Sequence, residues 1–379
     1  MVSDMADGSL RLLFIQPQAE GAGAQELARL LGEKLADRGF EVHHCFLYRR
    51  TGFYDGLARV HYCTAGRPRD AVALFRLLLD LLRHLRRVRP HAVVAFQHWG
   101  NVIAAPIARV AGVRCVLANR TSATLAMRPA LAALDTMLGM SGFYTRVIVN
   151  SGEVAREYDS YPAAYRRRVV RIDHGFQPRT GRLPPGEARR ALRARLGLGA
   201  EAPVIGCVAR LHALKNLPAA VRLLPCDARR HLVLVGQGPE REALVALARE
   251  LGCEERLHLL GEQPAEAVGD ILAGLDLFVF PSLAETFGLA VVEAAAAGVP
   301  VLAHDLPVLR EVLQVDGEPC ARFADARDEA AFGAAATALL CDAEALARLG
   351  EAGRGLERRY SADAMARAYE RLLSDCGAG

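Results

Sequence analysis

The chain has 379 residues, 52% apolar and 24% charged, a globular composition too long for one ordinary core and suited to two domains of about 150–200 residues. No apolar run reaches the roughly 18–20 residues that span a bilayer, the acidic N-terminus MVSDMADGSLRLLFI lacks the basic n-region of a signal peptide, and the nine cysteines form no C-x-x-C pair and no zinc-finger spacing, so a cytoplasmic protein with reduced, buried thiols is expected. The net charge of +4 hides an asymmetry: residues 1–180 carry 25 basic and 15 acidic side chains, whereas residues 181–379 carry 22 and 28; a basic first half suits an anionic acceptor or the inner face of a membrane, and equally a plain solvated Arg face.

Short apolar runs alternate with helical patterns, the signature of parallel α/β architecture. Leu10–Ile15 reads as a strand, Gln16–Gly23 as a Gly-bearing loop, and Ala24–Arg38 as a helix ending at Gly39. Glu41–Leu47 is the next strand. Ala71–Val88 has a Leu stripe and an Arg face, fitting a sheet-covering helix or a membrane-contacting one. Strands are expected at Ala92–Phe96, Val113–Ala118, Val147–Asn150 and Val169–Ile172. Gln177–Gly186 holds two Gly and three Pro and reads as a linker. The pattern then restarts with strands at Val204–Val208, His231–Val235, Leu257–Leu260, Leu277–Phe280 and Val301–Ala303, and helices at Glu240–Leu251 and Leu289–Ala297. Two doubly wound domains, 1–180 and 181–360, are expected, facing each other across a cleft where two substrates meet away from water.

The most informative segment is Phe280–Pro300, FPSLAETFGLAVVEAAAAGVP. From Gly288 onward every residue is apolar or Gly except Glu293, so the helix is buried and its lone carboxylate needs a partner. A ribose diol is one such partner, and a favourable helix dipole alone is another reading. The helix start, Phe287, Gly288 and Leu289, offers N–H groups to a pyrophosphate, and Glu285 in the preceding turn can hold sugar hydroxyls. A second segment, VIGCVARLHALKNL, runs from a strand into a loop with Arg210 and Lys215. The chain holds 45 Arg and only two Lys, Lys34 and Lys215, so Lys215 stands out as a compact charge suited to phosphate. Arg210 and Lys215 suit a diphosphate leaving group, on which charge develops as a glycosidic bond breaks; a surface βα loop is the plainer alternative. His98 follows strand AVVAF, where a structural histidine is the competing reading. The Gly21/Gly23 loop allows close backbone approach to a ligand, or simply a turn. No D-x-D, H-E-x-x-H, G-x-S-x-G or Walker pattern occurs, so metal-dependent and acyl-transfer chemistry lack support.

These residues bring a resemblance into view. The chain resembles the retaining GT-B glycosyltransferases of the glycosyl transferases group 1 type, known as family 4, over nearly its whole length. The E-x7-E phrase, Glu285 to Glu293, carries most of it; Arg210 to Lys215 and VGQGPEREAL at Val235–Leu244, which contains Gly236, agree with it. The resemblance implies a GT-B fold of two Rossmann-like domains, with 361–379 crossing back onto the first. It implies that Arg210 and Lys215 bind the donor diphosphate, Glu293 the ribose, and Glu285 the donor sugar. It assigns phosphate and sugar contacts to Phe287, Gly288 and Leu289, the sugar near its anomeric centre to His98, and proximity to the phosphates to Gly23. The loop GAGAQEL departs from the family's usual GGAER, and AHDLPVLREV lacks the Gly pair usual after the last strand.

The reading is a retaining, metal-independent hexosyltransferase that moves a sugar from a UDP- or GDP-sugar to a saccharide or lipid-linked acceptor, with no other cofactor, no metal and no nucleic-acid partner. Polysaccharide, lipopolysaccharide or glycoconjugate synthesis is the expected setting. Two rivals are a nucleotide-sugar epimerase of similar fold and a non-catalytic nucleotide-sugar-binding subunit.

Overall fold

The computed structural model describes residues 9–20, 23–52, 54–121, 129–179 and 181–377. Gly21, of the expected Gly21/Gly23 loop, lies outside the described residues. The chain divides into two compact units, Met1–Gly175 with Tyr360–Gly379, and Phe176–Arg359.

The first unit is built on seven strands: β1 (Arg11–Ala19), β2 (Glu41–Arg49), β3 (Val60–Tyr62), β4 (Ala92–Phe96), β5 (Cys115–Arg120), β6 (Arg146–Val149) and β7 (Val169–Arg171). They pair in parallel in the order β3-β2-β1-β4-β5-β6-β7. The order reverses between β1 and β4, and at that switch point the connections leave toward opposite faces. β1 runs four residues beyond the expected end, because Gln16, Gln18 and Ala19 still pair with Phe46, Tyr48 and Arg49 of β2. What reads in sequence as a polar loop is therefore ladder. Helices α1 (Gly23–Ala36), α2 (Ala71–Val88), α3 (Gln97–Val110) and α4 (Pro129–Met140) cover the sheet. Continuous apolar strands such as Ala92–Phe96, buried at every position, are what a sheet covered on both faces requires.

One face of that sheet is closed from far along the chain. The helix Ala362–Asp375 places Met365, Tyr369 and Leu373 in one core with Leu12 and Phe14 of β1 and Leu31 of α1. Ion pairs from Lys34 to Asp363 and from Arg38 to Glu370 flank the contact.

The second unit repeats the design with β8 (Val204–Val208), β9 (His231–Val235), β10 (Leu257–Gly261), β11 (Leu277–Phe280), β12 (Val301–His304) and, beyond a hairpin of β13 (Gln314–Val315) and β14 (Glu318–Pro319), β15 (Arg322–Ala324). The sheet order is β10-β9-β8-β11-β12-β15, all parallel, with its switch point between β8 and β11. The stretch read as a linker ends in structure: Pro185 opens a helix over Pro185–Arg195 with proline in its first turn, where no N–H is needed. All nine cysteines are free, but Cys226 and Cys341 are exposed, correcting the expectation of buried thiols throughout. Among the described residues no single helix is long and apolar enough to cross a membrane.

Candidate functional site

In doubly wound sheets ligands collect beyond the carboxyl ends of the strands that flank the switch point. In the second unit those strands are β8 and β11. Arg210 and Lys215 follow β8; Glu285, Phe287, Gly288, Leu289 and Glu293 follow β11.

Backbone hydrogen bonds join the two connections. The β8 loop closes in a short 3-10 turn, Ala213–Lys215, which the His212 ring caps as Leu214 N donates to its Nδ1 at 3.3 Å. Leu214 O then accepts from Leu283 N at 2.9 Å and from Ser282 Oγ at 3.3 Å. With the loops pinned, Lys215 Nζ reaches Glu285 Oε1 at 2.5 Å and lies 5.6 Å from the centre of the Phe280 ring. Both members of the pair are mostly shielded, with side-chain exposures of 27% and 11%. Arg210 is exposed at the end of the same strand.

Gly236 has a structural cause. Its φ is +131°, and a Cβ there would stand 2.1 Å from Ala209 O. The chain leaving β9 thus lies directly against the backbone that carries Arg210, where Ala209 N donates to Val235 O and Leu211 N to Gln237 O.

Gly288 turns the chain into the helix Leu289–Ala296 with φ +82°, and its missing side chain avoids Leu309 and Val291 at 3.0 and 3.1 Å. No side chain caps this helix, so its first N–H groups and the positive end of its dipole remain suited to an anion. Glu293 is buried, 7% exposed. Its carboxylate accepts from Arg179 Nε at 2.8 Å. The expensive buried carboxylate thus has a protein partner, from a segment that reads in sequence only as linker.

The first unit has its own switch point, between β1 and β4, and both expected residues fall beside it. Gly23 opens α1 after β1; a Cβ there would meet nothing within 4 Å, so no packing contact demands glycine. His98 is the second residue of α3, directly after β4, and is buried. Gln97 before it sits at φ +61°, a left-handed conformation uncommon for a residue with a side chain.

Beneath His98 lies a network that no sequence pattern announces. Arg120, the last residue of β5, is fully buried and donates from Nη1 to His98 Nδ1 at 2.5 Å. Its Nη2 pairs with Asp135 of α4, also fully buried, and donates to Tyr165 Oη at 2.5 Å. Tyr144 and Tyr165 hydroxyls donate to Asp135 at 2.7 and 2.9 Å. A guanidinium only donates, so His98 Nδ1 must accept. The imidazole is therefore neutral, with its proton on Nε2, and presents a fixed N–H donor.

The sequence profile of the family described as glycosyl transferases group 1 matches residues 188–356. Over 223 residues the chain is 35% identical to the D-inositol 3-phosphate glycosyltransferase of Nocardia farcinica, covering 54% of this chain but 47% of that protein, so it spans about half the length of that relative. It is 31% identical over 303 residues to D-inositol 3-phosphate glycosyltransferase 1 of Catenulispora acidiphila, 72% of each chain. It is 30% identical to the GDP-mannose-dependent alpha-(1-6)-phosphatidylinositol monomannoside mannosyltransferase of Mycolicibacterium smegmatis, over 66% of this chain and 67% of that one. In fold it is similar to Anabaena Alr3699/HepE in complex with UDP and glucose, with a TM-score of 0.84 at 18% identity over 97% and 100% of the two chains. It is likewise similar to sucrose-phosphate synthase from Thermosynechococcus elongatus, with a TM-score of 0.80 at 20% identity over 97% and 99%. These likenesses show the GT-B fold. With matches of 30% identity or more across two thirds of full-length relatives, the chain belongs to the glycosyl transferases group 1 family.

Proposed function

We propose that the chain is a retaining glycosyltransferase that moves a hexose from a UDP- or GDP-sugar to a hydroxyl of a saccharide or lipid-linked acceptor, without a catalytic metal. The observation that carries the reading is the pairing of Lys215 with Glu285 at the switch point of the second sheet. The names of the relatives, which include inositol phosphate glycosyltransferases and a GDP-mannose-dependent mannosyltransferase, support the substrate class.

Arg210 and Lys215 receive the diphosphate, where fixed cations stabilise the charge that grows as the bond to the anomeric carbon breaks. That replaces the usual task of a divalent metal. Phe287, Gly288 and Leu289 add backbone N–H donors. Glu293 takes the ribose hydroxyls while Arg179 steadies its charge. Glu285 holds sugar hydroxyls, and in the first unit His98 is assigned a sugar contact of its own. Transfer proceeds on one face of the sugar: the anomeric C–O bond to the diphosphate breaks, the acceptor oxygen bonds to the same carbon from the same side, and the acceptor proton passes to the departing diphosphate oxygen.

The test is a thermal-shift screen of UDP- and GDP-hexoses, followed by turnover with saccharide and lipid-linked acceptors and NMR of the product anomer. A product of retained configuration, formed without added Mg²⁺ or Mn²⁺, is expected. Inverted product, sugar epimerised without an acceptor, or a more than tenfold gain on adding either ion refutes the reading.

A further inference from the structure

At the β3 edge of the first sheet, two cysteines, a histidine and an aspartate converge. The parallel register sets Cys45 of β2 opposite His61 of β3, so both side chains leave the same face, and Cys63, two residues after His61, follows them. α2 lies over that face and packs Leu77 and Leu81 into one core with Cys45. Asp80, on the same helix, reaches the sheet edge, where its Oδ2 stands 2.6 Å from His61 Nε2. One ligand atom from each of His61, Cys63 and Asp80 lies within 4.8 Å of the others. Cys45 Sγ lies 3.6 Å from Cys63 Sγ. Two thiolates on one tetrahedral zinc, each about 2.3 Å from the metal, stand about 3.8 Å apart. His84, one turn beyond Asp80, stacks on His61 with ring centres 4.0 Å apart and planes 5° from parallel, and its buried Nε2 has no hydrogen-bond partner.

We propose that His61, Cys63 and Asp80 form a zinc site, with Cys45, which lies 3.6 Å from Cys63 but outside that group of three, moving inward as fourth donor, and that the ion ties the edge strand β3 to β2 and α2. Thiolate, imidazole and carboxylate together select a borderline-soft tetrahedral ion over Mg²⁺ or Ca²⁺, which take oxygen donors. His61 and Asp80 side chains are 24% and 37% exposed, so an ion can enter from solvent while Cys45 closes the site from beneath. The structural gain is direct. β3 has three residues and one neighbouring strand, and a metal spanning three elements supplies the anchor that so short a strand lacks. The ion takes no part in sugar transfer.

The experiment uses the full chain, stripped of metal by a chelator and then dialysed. Zn²⁺ titration followed by metal analysis is expected to find one bound ion per chain, and Zn²⁺ at about 100 times its Kd to raise Tm by about 5–10 °C. Co²⁺ in place of Zn²⁺ is expected to show thiolate-to-metal charge transfer and tetrahedral d–d bands in the unaltered protein, a readout that needs no variant. Cys63→Ser and His61→Ala, each checked for folding by circular dichroism, lower the affinity at least about 100-fold; Cys226→Ser, at an exposed cysteine, leaves it unchanged. Absence of stoichiometric Zn²⁺, a Co²⁺ spectrum without thiolate bands, a resting Cys45–Cys63 disulfide, or undiminished binding by Cys63→Ser would overturn the proposal.

Discussion

Replacing Asp135 with alanine is the sharpest test of the network under His98. Arg120 and Asp135 side chains are both 0% exposed, so the substitution leaves a guanidinium buried without its counter-charge, at a cost of about 3–5 kcal/mol. Two tyrosine hydroxyls lose their acceptor in the same step. In a unit of this size each kcal/mol moves Tm by about 2–4 °C, so a fall of about 6–20 °C is expected by calorimetry. The double substitution Arg120→Met, Asp135→Leu removes both charges and recovers the part of that loss due to the unpaired guanidinium, since an apolar pair replaces a buried ion pair at little cost, while the two tyrosine hydroxyls stay without their acceptor. Turnover does not recover with it. Without Arg120 the His98 ring is free to carry its proton on Nδ1, and kcat falls about 10–100-fold while the KM for donor changes little. A loss of less than about 1 kcal/mol in Asp135→Ala, or full turnover in the refolded double variant, refutes the reasoning.

Lys215→Ala and Glu285→Ala each lower kcat/KM about 100-fold or more, measured by donor consumption; wild-type rates in both would remove the site assignment. Arg179→Ala removes the guanidinium hydrogen bond to Glu293 and, if the carboxylate holds ribose, raises donor Kd about tenfold by calorimetric titration; unchanged affinity counts against that role. Gly236→Ala forces an alanine to φ +131° against Ala209 O, costs about 1–3 kcal/mol in backbone strain, and weakens donor binding by moving Arg210; unaltered stability contradicts the packing argument. Burial pushes His44 down to about 4 and His174 to about 3, from 6.5. The unfolded chain then binds the extra protons, so stability is full above pH 6.5 and falls as pH drops through the window below it, by about 2.5 kcal/mol per histidine at pH 4.5. Urea midpoints against pH measure this, and a flat profile from pH 7 to 4.5 contradicts it.

Much of the fold was legible because a covered parallel sheet leaves continuous apolar runs, and runs such as Ala92–Phe96 and Leu277–Phe280 admit little else. Donor-side residues were legible for a related reason: a lone carboxylate in an apolar helix and a rare lysine in an Arg-rich chain are local anomalies. What stayed hidden depends on distant pairings. The extra length of β1 is set by its register with β2 and not by its own polar residues. Arg179 gains meaning only when it meets Glu293, 114 residues on. Arg120 and Asp135 look like an ordinary strand end and an ordinary helix residue until burial joins them. The zinc ligands come from two strands and a helix, so no spacing rule applies to them.

The helix Ala362–Asp375, packed on β1 and α1, sets the order of biogenesis. A ribosome releases the strands of the first unit before the whole of residues 176–359 and only then the segment that seals their apolar face. At about 5–20 residues per second that interval is about 10–40 s, during which Leu12, Phe14 and Leu31 wait uncovered. A premature stop just after residue 359 leaves a finished second unit and a first one without the helix that seals it.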